Sequence, residues 1–215
     1  MKRKISIIIL IVTFLFCFTA CQNEQAETNK AVAYINGEEI SSREIEYFKS
    51  RDRSDIINFY SEEYGVTDFS DFWDKEFDGI TPSQALKKKA LEDACDAKIR
   101  LCLMRENGIY EDISFDALEA KAQAYNAEHK DQKNVVGINT IDLSQFYSYY
   151  ISTGEMTLKT TLAEGELKPT DEEINTLLSA NSEMSENSAK SKLVDEKYEE
   201  YINSLLEKAE IKTAE

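Results

Sequence analysis

Side chains able to do bond-making chemistry are scarce in this chain of 215 residues, which carries a single histidine, His129. A Ser-His-Asp relay needs a histidine steadied by a buried acid beside a nucleophile, and an imidazole zinc centre needs more than one. His129 stands between Glu128 and the pair Lys130-Asp131, a setting that reads as surface. The seven glycines (Gly37, Gly65, Gly79, Gly108, Gly137, Gly154, Gly165) are scattered singly. No run of them can bend the backbone around a phosphate. Carboxylates are plentiful, 41 in all, so chance pairs resembling a glycosidase dyad are expected without catalytic meaning. Asp52, Asp55, Asp68, Asp71 and Asp74 lack the central Gly and terminal Glu of a calcium loop. The sequence leads us to expect no catalytic residue, no metal centre and no cofactor.

Covalent chemistry is expected at one cysteine. Lys2, Arg3 and Lys4 precede an apolar run from Ile5 to Phe18, interrupted only by Ser6, Thr13 and Cys17. The run is short of the roughly 20 residues that span a bilayer and fits the core of a signal peptide. Phe18-Thr19-Ala20-Cys21 resembles the bacterial lipobox, departing from it at Phe18, where leucine is usual. The resemblance implies a diacylglycerol thioether on Cys21 and cleavage just before it. Residues 1–20 are then a lipoprotein signal peptide and 21–30 a lipidated tether. The polar tether reaches about 30 Å at most, and two acyl chains suffice for stable anchoring. The expected location is the extracytoplasmic face of the bacterial cell membrane.

Cys95 and Cys102 remain. Seven residues apart in a helical pattern, they are separated by roughly 10 Å along the axis, beyond the reach of a disulfide. They read as small core residues. Charge narrows the partners further: the formal net charge of −16 falls to −19 once the three N-terminal cations leave with the signal. Such a body is repelled by phosphate backbones and anionic head groups. Nucleic acid is therefore excluded as a partner, whereas basic or unfolded chains are not.

The elements behind these residues follow from periodicity and caps. Ala31–Ile35 is β-prone, Asn36-Gly37 is a hairpin turn, and Glu38–Ile40 returns. Ser41 and Glu44 form a capping box for a helix burying Ile45, Tyr47 and Phe48. From Asp52 to Gly79, aromatics and acids alternate in a helix-and-loop region, with Phe59, Tyr60, Tyr64, Phe69, Phe72, Trp73 and Phe77 expected to pack a small core. Thr81, Pro82 and Gln84 open the clearest helix, with Leu86, Ala90, Ala94, Ala97, Leu101 and Met104 in its stripe and Asn107-Gly108 as its stop. Its length, roughly 39 Å, suits a spine. Further helices are expected after Ser114, through Leu143–Ile151, after Thr170 and over Val194–Ala209, with Ser179–Ser191 as a linker and Glu210–Thr213 as an edge strand.

This order of parts resembles the SurA and PrsA chaperone family. The carriers are Val32-Ala33-Tyr34-Ile35-Asn36-Gly37-Glu38-Glu39-Ile40 with its capped helix, Lys168-Pro169-Thr170-Asp171-Glu172-Glu173-Ile174, and Tyr198–Ile202 through Ala209-Glu210-Ile211. The resemblance implies a mainly α, SurA N-terminal-like helical domain over residues 31–215. It would have a long central helix and a small antiparallel β element formed by the N- and C-terminal segments. In that family a parvulin prolyl isomerase domain of roughly 90–100 residues follows the second motif; here only 179–191 stands in its place. Parvulin sites also use a pair of histidines.

The implied activity is therefore ATP-independent chaperoning of secreted polypeptides without prolyl isomerisation. A cleft between the long helix and its neighbours would present aromatics within acidic rims. Phe72, Trp73, Tyr147, Tyr149 and Tyr150 are the candidate client-binding residues. The alternative is a structural or adaptor lipoprotein that binds one folded cell-surface partner.

Overall fold

The computed structural model describes residues 30–130 and 140–214. The expected signal peptide and the lipidation site Cys21 lie outside the described residues. Asn36 and Gly37 adopt φ of +51° and +86°, the left-handed pair that matches a two-residue turn to the twist of its strands. They fold β1 (Ala31–Ile35) onto β2 (Glu38–Ser41), with Ile35 opposite Glu38. Asn36 also holds the other end of the chain. Its amide donates to the Glu210 carbonyl and its Oδ1 accepts from the Glu210 amide, both at 2.9 Å. The chain then runs into β3 (Ile211–Thr213), antiparallel to β1, giving the sheet order β2-β1-β3. The N- and C-terminal segments of the described body thus meet in one sheet.

Ala33, Ile35 and Ile40 are fully buried and form the sheet's contribution to the main core. Beneath them starts α1 (Ser42–Tyr64), capped reciprocally by Ser41 and Glu44. This helix runs further than the mixed composition after Asp52 suggests. Its buried stripe is Ile45, Phe48, Asp52, Ile56 and Tyr60, at helical spacing, but the carboxylate at the middle position breaks the apolar signal. Gly65, at φ +64°, ends it in the left-handed conformation. A 3-10 turn over Phe72–Asp74 follows.

The long helix is α2 (Pro82–Glu106), with the capping box at Thr81 and Gln84 and all six expected stripe residues buried. α1 and α2 run antiparallel. Ile45 and Phe48 from the start of α1 share the main core with Leu101 and Met104 from the end of α2. Ile56 and Tyr60 from the end of α1 join Phe72 and Leu86 in a second, smaller cluster.

α3 (Phe115–His129) and α4 (Leu143–Ala163) pack on the main core through Phe115, Leu118, Phe146, Tyr147 and Leu158. α6 (Glu186–Lys208) adds Tyr198 and Ile202 to that core, and α5 (Asp171–Ala180) packs against α6. The expected linker over 179–191 is corrected here, because α6 begins at Glu186. Ser185 caps it by accepting from the Ser188 amide, Lys190 pairs with Glu186 at 2.6 Å, and Ala189 is fully buried. Local polar bonds and one small buried residue form a helix there without an apolar stripe. Among the described residues, no helix is long and apolar enough to cross a membrane.

Candidate functional site

The five candidate residues do not form one surface. Tyr147, Tyr149 and Tyr150 lie on α4, while Phe72 and Trp73 lie on the 3-10 turn, which packs in the second cluster. Tyr147 is 3% exposed, with its ring 4.6 Å from Tyr47 and 5.7 Å from Phe48. Tyr150 is likewise buried and stacks on Tyr110 at 3.9 Å. Burial holds the Tyr147 phenol well above its ordinary range and pushes that of Tyr150 up to about 12. Phe72 is also buried. These three rings pack the interior, with only the edge of Tyr147 reaching a cleft, which corrects the expectation of an exposed aromatic surface for them. Tyr149, at 56% exposure, is the one open ring of the α4 set.

The cleft expected beside the long helix is present, with ion pairs alongside its aromatics. It has a volume of about 420 Å³ and lies between α1, α2 and α4, lined by Tyr47, Tyr147 and Ile151 and by a set of ion-paired side chains. Arg51 binds Asp93 and, at 2.8 Å, Asp52. Arg100 binds Asp96 at 2.7 Å and Glu155 at 2.6 Å, and reaches Glu199 of α6 at 2.8 Å. Arg100 holds Glu199 below the usual carboxylate range, so one guanidinium ties three helices together. The chemistry of this cleft is structural. A second groove of about 580 Å³ between α4 and α6 mixes Met156 and Val194 with the Lys159–Asp195 pair at 2.9 Å.

Apolar surface concentrates instead around the second cluster. Tyr60 and Phe72 form its buried hub, 5.7 Å apart. Around them stand Phe59, Tyr64, Phe69, Trp73 and Phe77, each within 5.4 Å of a hub ring between centroids. Phe59 is 53% exposed, Phe69 43% and Tyr64 39%. Ile80, 50% exposed, is held beside Phe77 by two backbone hydrogen bonds of 3.0 Å. Rings that crowd a common centre bury their inner edges and leave their outer faces in water.

Trp73 belongs to this end of the molecule; Phe59, Tyr64, Phe69 and Ile80 complete it. The sequence placed the aromatics in a small core, which holds for Tyr60 and Phe72. The sign of exposure was their irregular spacing, since no single helical stripe can bury seven rings with acids between them.

The remaining reactive groups are shielded. Burial pushes the Cys95 thiol up to about 12 and raises that of Cys102; both cysteines are free, on one helix. His129 is half-buried rather than on the open surface, stacked on Tyr125 at 4.1 Å. Among the described residues, no group of three or more His, Cys, Asp or Glu side chains is placed to hold a metal ion. Compared with models of known protein families, with curated proteins and with solved structures, the chain finds no match.

Proposed function

We propose that the protein is a lipid-anchored extracytoplasmic chaperone. It would shield apolar segments of secreted polypeptides without ATP and without prolyl isomerisation. The observation that carries this reading is the exposed apolar end formed by Phe59, Tyr64, Phe69 and Ile80. Exposed apolar side chains gathered at one end of a folded protein point to an interaction site. Here they sit on a rigid base of packed rings, so little side-chain freedom is lost when a client lands.

The supporting features are consistent with holding rather than catalysis. The body is strongly acidic, which keeps a complex with an apolar client in solution. Five residues separate α5 from α6, too few for an isomerase domain of the SurA and PrsA type. The lipobox-like Phe18-Thr19-Ala20-Cys21 would hold the body near the point where secreted chains emerge. Membrane fractionation tests that part: Cys21→Ser should release the protein from the membrane fraction.

The chaperone activity is tested by light scattering of a heat-unfolded client with the purified protein at several-fold excess. Suppressed aggregation is expected. Full aggregation of the client would overturn the reading, and one stoichiometric folded partner in a pull-down would favour the adaptor role instead.

A further inference from the structure

We infer that the aromatic end selects basic client segments, in which Lys or Arg side chains interleave with apolar ones. This rests on the chaperone reading and names the chemistry of its client.

Two observations point to cations. Between Arg53 and Ile80 the chain carries eight exposed carboxylates against two cations, Arg53 and Lys75, a more acidic balance than that of the chain as a whole. Both of those cations are already seated on ring faces. The Arg53 guanidinium lies 4.1 Å from the centroid of Trp73, and the Lys75 ammonium lies 5.2 Å from that of Phe77. Aromatic faces attract cations through their quadrupoles, and the surrounding carboxylates raise the local concentration of positive charge. Among the described residues no cation lies over Phe59 or Phe69 as over Trp73 and Phe77, and these two are the most exposed rings of the group. Their open faces offer a client lysine or arginine what Trp73 and Phe77 give to Arg53 and Lys75. An acidic segment would meet repulsion from the rim. A second copy of this chain would bring the same carboxylates and meet the same repulsion.

The experiment is fluorescence anisotropy with the full protein and two labelled peptides of identical Leu and Phe content, one with Lys and one with Glu at the intervening positions. The Lys peptide is expected to bind about ten-fold tighter or more at low salt. Its advantage should shrink strongly at 0.5 M salt, where screening acts within a few ångströms. The double variant Phe59→Ser, Phe69→Ser leaves charge unchanged and should lose most of the Lys-peptide affinity. Arg53→Ala with Lys75→Ala uncovers two more ring faces and should bind that peptide at least as tightly as the parent.

Equal affinity for the two peptides would overturn the inference, as would Lys-peptide binding unmoved by the Phe59, Phe69 variant. If both peptides bind equally and the ring variant loses both, the client surface stands and charge selection falls. If the Lys peptide binds as expected but clients still aggregate in full, charge selection stands and the chaperone reading falls.

Discussion

The carboxylate of Glu44 accepts the ammonium of Lys98 at 3.1 Å, with both side chains almost wholly out of water. The same carboxylate closes the capping box at the start of α1, accepting from the Ser41 amide at 3.5 Å. One acid therefore fixes the junction of β2 with α1 and pins it to α2. Desolvation raises the Glu44 pKa and the Lys98 charge works against that rise, so each ion is tolerable only because of the other.

Lys98→Met should therefore destabilise the protein by about 3–5 kcal/mol, since it strands a buried carboxylate. Replacing both partners with apolar residues should recover much of that loss. Urea unfolding at pH 7 checks both outcomes. The sign with pH follows from the raised pKa: the folded state binds the Glu44 proton more tightly than the unfolded state, so stability from this group falls as pH rises. The deficit of Lys98→Met should be smaller at pH 4 than at pH 7.

Glu173 repeats the motif at the surface with the opposite sign. It closes the capping box of α5, accepting from the Thr170 amide at 2.7 Å, and takes the Lys197 ammonium of α6 at 2.8 Å. The Lys197 hydrogen bond, with those from Thr170, lowers its pKa to about 2. This group's stabilisation is present above its ordinary value of 4.5 and is lost as pH falls towards 2. A carbon-detected NMR titration should place the Glu173 midpoint well below those of freely exposed glutamates, and Lys197→Met should move it up. A midpoint near 4.5 in the parent protein would refute the assignment.

Gly154 is needed for close packing within α4. A Cβ there would lie 2.5 Å from Met104 Sδ and 2.8 Å from Tyr110 Cε2. Tyr110 is fixed by its stack on Tyr150 and by donating its hydroxyl to the Tyr150 carbonyl at 2.7 Å. Gly154→Ala should thus lower stability by about 1–3 kcal/mol through overpacking, despite alanine's better helix propensity. Thermal unfolding with wild type as reference checks this; an unchanged or raised midpoint would contradict it.

What could be read from sequence was what local chemistry decides. The hairpin at Asn36-Gly37, the boxes at Ser41, Thr81 and Thr170, and the stripe of α2 each depend on residues within a few positions of one another. Long-range partners were not legible. Lys98 looks like any solvated lysine until Glu44 arrives from 54 positions earlier. Arg100 gives no hint that it joins α2, α4 and α6. The candidate site suffered in the same way. Tyr147 and Tyr150 stand out as aromatic in the sequence, yet α1 and Tyr110 cover them. The outer rings Phe59 and Phe69 are exposed because Tyr60 and Phe72 already fill the small core beneath.

The most direct test of the account compares two variants in suppressing aggregation of an unfolded basic client. Phe59→Ser with Phe69→Ser removes outer rings from the aromatic end, and Tyr149→Ser removes the open ring of α4. The account predicts that the first variant loses most of its protection while keeping its fold by circular dichroism, and that the second protects like the parent. Undiminished protection by the Phe59, Phe69 variant, or a loss confined to Tyr149→Ser, would contradict it.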